Sequence, residues 1–88
     1  MSTKNVDAIT SGQCKAARAL LDLTQGDLAD AANLGLSTVV DFERKRRQVS
    51  VSAIDAMRDA LALRGVEFID ENGGGPGVRL RKRHQKKG

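Results

Sequence analysis

The chain has 88 residues, 40% of them hydrophobic, with two Phe and neither Trp nor Tyr. That is enough for one small domain with an aliphatic core. One cysteine excludes an internal disulfide and one histidine, far from it, excludes a metal cluster, so no cofactor, metal site, catalytic centre or small-molecule substrate is expected. The formal charge of +4 is uneven: Arg79, Arg81, Lys82, Arg83, Lys86 and Lys87 are six of the 15 basic residues, with no acid among them. Without them nine basic residues face 11 acidic ones, a balance of −2, and Arg44 to Arg47 supply four of the nine. Positive charge is therefore local, which suits a nucleic-acid partner only through that cluster and the tail. No apolar run approaches the roughly 18–20 residues that span a bilayer. With no secretory signal at the N-terminus either, the expectation is a soluble cytoplasmic protein without a membrane partner.

Residues 1–10 read as a short flexible segment. Ser11 can cap a first helix running to about Asp22, with Cys14, Ala17, Leu20 and Leu21 as an inward stripe. Cys14, among apolar neighbours, reads as packing rather than redox chemistry. Thr24 followed by Asp27 approximates a capping box and opens a second helix. Leu28 and Ala31 give this helix an apolar face, Ala29 and Ala32 are small, and Asn33 suits the left-handed residue of a sharp turn. After Gly35 a third helix is expected from about Leu36 to Arg44, with Val39 and Phe42 inward. The basic run Arg44, Lys45, Arg46, Arg47 follows, where it can hold phosphates beside a docked helix.

Ser50 can cap a fourth helix from about Val51 to Leu63, with Val51, Ile54, Met57, Ala60 and Leu61 as its apolar face. Arg58 and Arg64 read as solvated, and Gly65 as the helix stop. Val66 to Ile69 is β-prone, Asp70 to Gly77 is dense in turn residues, and Val78, Arg79, Leu80 alternate apolar and basic. The glycine-rich loop lacks a following GK[ST] and helix, so it is no phosphate loop. A two-stranded hairpin is marginal alone. It must pack on the helices or pair with a second copy, and a homodimer is expected. Val66, Phe68, Ile69, Val78 and Leu80, with the fourth helix, lie near its interface. The segment 81–88 reads as a disordered basic tail serving solubility or non-specific phosphate contact.

The stretch from Leu23 to Ser50 resembles the helix-turn-helix of the Cro/cI-like repressors, the XRE family, whose usual run is close to LTQxxLAxxAGVSxSTISxIERGKRxPS. Leu23, Thr24, Gln25, Leu28, Ala29, Ala32, Ser37, Thr38, Glu43, Arg44, Arg47 and Ser50 stand in register with it, and Ala17, Arg18 and Leu21 fit the family's first helix. The resemblance spans about Ile9 to Leu63. It implies a mainly α fold: a lambda-repressor-like four-helix DNA-binding domain (11–64), followed here by a short C-terminal β-hairpin or dimerisation strand (65–80). It further implies an ion pair between Arg18 and Glu43, against the alternative of two solvated charges, and a Gln25 that reaches DNA backbone or an adjacent base. The departures are Asn33 for a glycine, Gly35 for a capping Ser or Thr, Lys45 for a glycine and Val49 for a proline. Leu36, Val40 and Asp41 stand where many relatives carry Gln, Arg or Lys.

The function these residues imply is a sequence-specific double-stranded DNA-binding transcriptional regulator, a repressor or dual-acting switch. It would read the major groove with helix 36–44. Leu36, Ser37, Thr38, Val40 and Asp41 are the expected exposed positions. Ser37 and Thr38 can bond bases or phosphates, Leu36 and Val40 can pack on thymine methyls, and Asp41 can accept from the cytosine amino group. Arg44, Lys45, Arg46 and Arg47 are the expected phosphate clamp. The alternative is a protein-interaction module on the same scaffold, such as an antitoxin or anti-activator with a protein partner. RNA binding is disfavoured by the missing stacking aromatics.

Overall fold

A computed structural model describes residues 8–81. In chain order it has α1 (Ser11–Leu21), α2 (Gln25–Ala32), α3 (Leu36–Arg44), α4 (Val51–Leu63), β1 (Val66–Ile69) and β2 (Gly77–Leu80). Four helices followed by an antiparallel hairpin is the expected mainly α architecture. The strands pair within one chain, with Val66 opposite Leu80, Glu67 opposite Arg79, Phe68 opposite Val78 and Ile69 opposite Gly77.

Local hydrogen bonds explain most element boundaries. Thr24 and Asp27 form the expected reciprocal cap of α2, at 2.9 and 3.0 Å. The Ser50 hydroxyl accepts from the Ala53 amide to open α4. Gly35 precedes α3 without a side-chain cap. The first helix corrects the sequence reading: its cap is Thr10, and Ser11 is already helical and buried. Thr10 wins because Gln13, three residues on, answers it, each side chain bonding the other's backbone N–H.

The ends of α1, α2 and α3 share one geometry. Asp22, Asn33 and Lys45 all adopt φ 58°, and the next amide reaches back across the turn: Leu23 to Arg18, Leu34 to Ala29, Arg46 to Asp41. This is the Schellman arrangement, normally built with glycine. Lys45 keeps the left-handed backbone despite its side chain, at a conformational cost of roughly 1–2 kcal/mol. Asn33 and Asp22 tolerate it better.

The core gathers Ile9, Cys14, Ala17, Leu28, Ala29, Val39, Val49, Ala53, Met57, Ala60, Leu61 and Val66. It lies where α2 crosses α3 and α4, with β1 packed on α4 and β2 on α1. Five sequence expectations change here. Ile9 belongs to the core, so the packed unit begins before residue 11; residues 1–7 lie outside the described part. Leu20 is 42% exposed, and Leu21 is half-buried, packed against the edge of the core. Val51, in the first turn of α4, is 68% exposed and not part of its buried face. Arg58 pairs with Asp59 at 2.9 Å and Arg64 bonds the Ala60 carbonyl at 3.2 Å, so neither is simply solvated. Arg81, assigned to the tail, instead extends the hairpin: its amide bonds the Gly65 carbonyl at 2.6 Å and its guanidinium the Ala62 carbonyl at 2.9 Å. Residues 82–88 lie outside the described part.

Candidate nucleic-acid interface

Two short helices and a three-residue turn, Asn33 to Gly35, set the site. With Val39 fully buried and Glu43 nearly so, and Phe42 packed against the core, α3 has one committed face. The opposite face follows from the 3.6-residue period. It carries Leu36 (53% exposed), Ser37 and Arg44, with Val40 and Asp41 half-buried beside them. Thr38 is half-buried too, and lines a groove of about 320 Å³ with Arg47, Ser50 and Ser52. All ten residues expected to face DNA thus come from α3, its C-terminal turn or, for Gln25, the start of α2.

Behind this face sits one carboxylate with four donors. Glu43 is 1% exposed and accepts from Arg18 Nε and Nη2, each at 2.7 Å, from Gln25 Nε2 at 3.0 Å and from Cys14 Sγ at 3.1 Å. Arg18 Nη1 also donates to the Leu23 carbonyl at 3.0 Å, tying α1 to the α1–α2 turn. Burial works against the charged form of Glu43. The bonds from Arg18, Cys14 and Gln25 and the Arg18 charge outweigh it, holding the carboxyl below its usual range. For Cys14, burial and then the bond to Glu43 push the thiol far above its ordinary value, so it stays a protonated donor. The sequence placed Arg18 against Glu43 but carried no signal for the other two ligands. Gln25, expected to reach DNA, spends one amide N–H on Glu43, and its oxygen and second N–H remain for other partners.

The basic run is not uniform. Arg47 Nε donates to Asp41 Oδ2 at 2.8 Å, and Arg46 Nη1 lies 3.8 Å from Asp41 Oδ1. Among the described residues no ion pair joins Arg44 or Lys45. Asp41, expected to be exposed, is therefore engaged by the arginines that the sequence assigned to phosphate. The left-handed turn at Lys45 swings residues 46 and 47 back along the helix.

Of the residues assigned to dimerisation, Val66 is 1% exposed and belongs to its own chain's core, so its interface assignment is corrected. Phe68 and Val78 pack against that core as well. Ile69 is half-buried, and Leu80 keeps about half its surface exposed. Gln13, which the sequence reading passed over, latches the hairpin's loop end: Nε2 donates to the Ile69 and Gly77 carbonyls at 3.2 and 2.9 Å. The Thr-x-x-Gln spacing at 10–13 could have revealed its cap, though not its strand contacts.

A helix whose inner face is locked to the domain and whose outer face is open, reached through a tight turn from a capped helix, defines a DNA-binding helix-turn-helix protein. The chain matches the family model described as helix-turn-helix over residues 15–68 and belongs to that family, in its Cro/cI-like (XRE) form. This family is a DNA-binding, not a catalytic, domain. A search of curated proteins finds none that matches the chain. No helix among the described residues is long and apolar enough to cross a membrane.

Proposed function

We propose that this protein is a sequence-specific transcriptional regulator, a repressor or dual-acting switch of the cytoplasm, that docks α3 in the major groove. The observation that carries the reading is the row Leu36, Ser37, Val40, Asp41 and Arg44 on the open side of α3, continuous with Lys45, Arg46 and Arg47. Ser37 and Thr38 bond bases or phosphates, Leu36 and Val40 pack on thymine methyls, Asp41 accepts from a cytosine amino group, and Gln25 reaches the flanking backbone. Arg44 to Arg47 hold phosphates. The protein acts as a homodimer, which matches paired half-sites. Leu80, Ile69 and the unpaired strand edges form its contact surface with α4, whose Leu63 is 83% exposed.

Selection of binding sites from random duplex, followed by a mobility-shift titration of the winner at two salt concentrations, tests the reading. A consensus with two related half-sites and affinity that falls steeply with salt supports it. Failure to enrich any sequence counts against it. A second reading, a module that grips a protein partner, is favoured by Leu36, a large apolar side chain 53% exposed at the start of the reading helix. Retention of an unrelated protein by the wild type but not by Leu36→Asp, with no duplex enriched, would favour that reading instead.

A further inference from the structure

We propose that Asp41 is a built-in competitor of DNA phosphate for Arg46 and Arg47, keeping half of the basic run closed on duplex of the wrong sequence. This rests on the DNA-reading function proposed above and names how that site is held in check.

The geometry divides the run in two. Arg44 and Lys45 have no ion pair among the described residues, whereas Asp41 gives one carboxylate oxygen to Arg47 at 2.8 Å and the other to Arg46 at 3.8 Å. The main chain reinforces the arrangement, because the Arg46 amide donates to the Asp41 carbonyl at 2.9 Å. The carboxylate is mostly covered, at 19% exposed, while the two guanidinium side chains remain 59% and 52% exposed. The arginines are thus accessible to DNA with their charge already answered.

A carboxylate and a phosphate offer a guanidinium the same thing, an anionic oxygen acceptor. The Arg47 Nε–H that bonds Asp41 cannot also bond phosphate at full strength. Moving it to DNA strands the Asp41 carboxylate on a face that meets a polyanion. On an arbitrary sequence nothing compensates that loss. On a site that presents a cytosine amino group in the major groove, Asp41 regains a donor while the arginines turn to the backbone. Asp41 therefore weakens non-specific binding more than specific binding and widens the ratio between them.

The experiment is fluorescence-anisotropy titration of the full chain against a mixed-sequence duplex over a salt series. The proteins are wild type, Asp41→Asn, Arg46→Ala/Arg47→Ala and the triple variant. Asp41→Asn is expected to bind about tenfold tighter, with a log–log salt slope steeper by about one. In the background lacking both arginines the same change should shift affinity by less than about twofold. Asp41→Ser, expected to reproduce the gain, guards against a folding defect peculiar to Asn, with thermal melts confirming each fold. Wild-type binding with no gain in either variant overturns the competitor alone. A gain that persists without the arginines also overturns it, because simple charge repulsion then suffices. No binding by wild type or variants overturns the competitor together with the DNA-reading function.

Discussion

Arg18 grips Glu43 with two bonds of 2.7 Å, one from Nε and one from Nη2, across the gap between the first helix and the third. The pair fixes the inner face of α3, and so the outer face that meets a partner. Because Cys14 and Gln25 bond the same carboxylate, α1, α2 and α3 converge on one buried charge.

Removing one partner should therefore be costly. Arg18→Ala leaves Glu43 with two neutral donors and no counter-charge, and is expected to lower stability by about 3–5 kcal/mol. Gln25→Ala, at a half-buried position with a single bond to Glu43, should cost about 1 kcal/mol. Urea unfolding followed by circular dichroism measures both; equal losses would contradict the dominance of the ion pair.

The same carboxylate predicts acid sensitivity. The native Glu43 pKa is depressed, by bonds that outweigh burial, so the folded state releases its proton more readily than the unfolded chain, whose glutamate pKa is about 4.3. Its stabilisation is complete well above that value and is lost as pH falls through the lower native pKa. Asp27, held down by the Thr24 backbone N–H, acts in the same direction. Urea midpoints measured from pH 7 down to pH 3 should fall along this limb, and Glu43→Gln should start lower and fall less.

Gln13 should matter to the hairpin more than to the reading helix. Gln13→Ala leaves the Thr10 amide and the Ile69 and Gly77 carbonyls without its bonds, for an expected loss of about 1–3 kcal/mol. Hydrogen exchange should show faster opening at β1 and β2 with α2 and α3 little changed. Uniform loss of protection would argue against a local latch.

Two glycines separate backbone strain from space. Gly65 joins α4 to β1 at φ 107°, where an added Cβ meets nothing within 4 Å but the backbone disfavours it. Gly65→Ala should cost about 1–2 kcal/mol. Gly74, in the hairpin loop, has equal space and no positive φ. Gly74→Ala should be neutral or stabilising by up to about 1 kcal/mol. Thermal melts should show a lowered midpoint for Gly65→Ala and an unchanged or raised one for Gly74→Ala.

The sequence alone determined the order of four helices and a hairpin. The signals that do this act between near neighbours: Thr24 with Asp27, the Ser50 cap, the left-handed turn at Asn33, the stop at Gly65, and apolar residues three or four apart. It also placed Arg18 and Glu43 on helices that could meet, Glu43 among twelve residues in register with a family pattern and Arg18, with Ala17 and Leu21, in that family's first helix. Who shares Glu43, where Gln13 reaches, and that Asp41 holds Arg47 emerge from the packing of the folded chain. Those partners lie 18 to 64 residues apart, or, for Asp41 and Arg47, six apart across a reversed turn. Helical periodicity says which way a side chain leaves its helix. What covers it depends on the packing of other elements, which is why Leu20 and Val51 lie open, Val66 is sealed, and Ile9 joins the core.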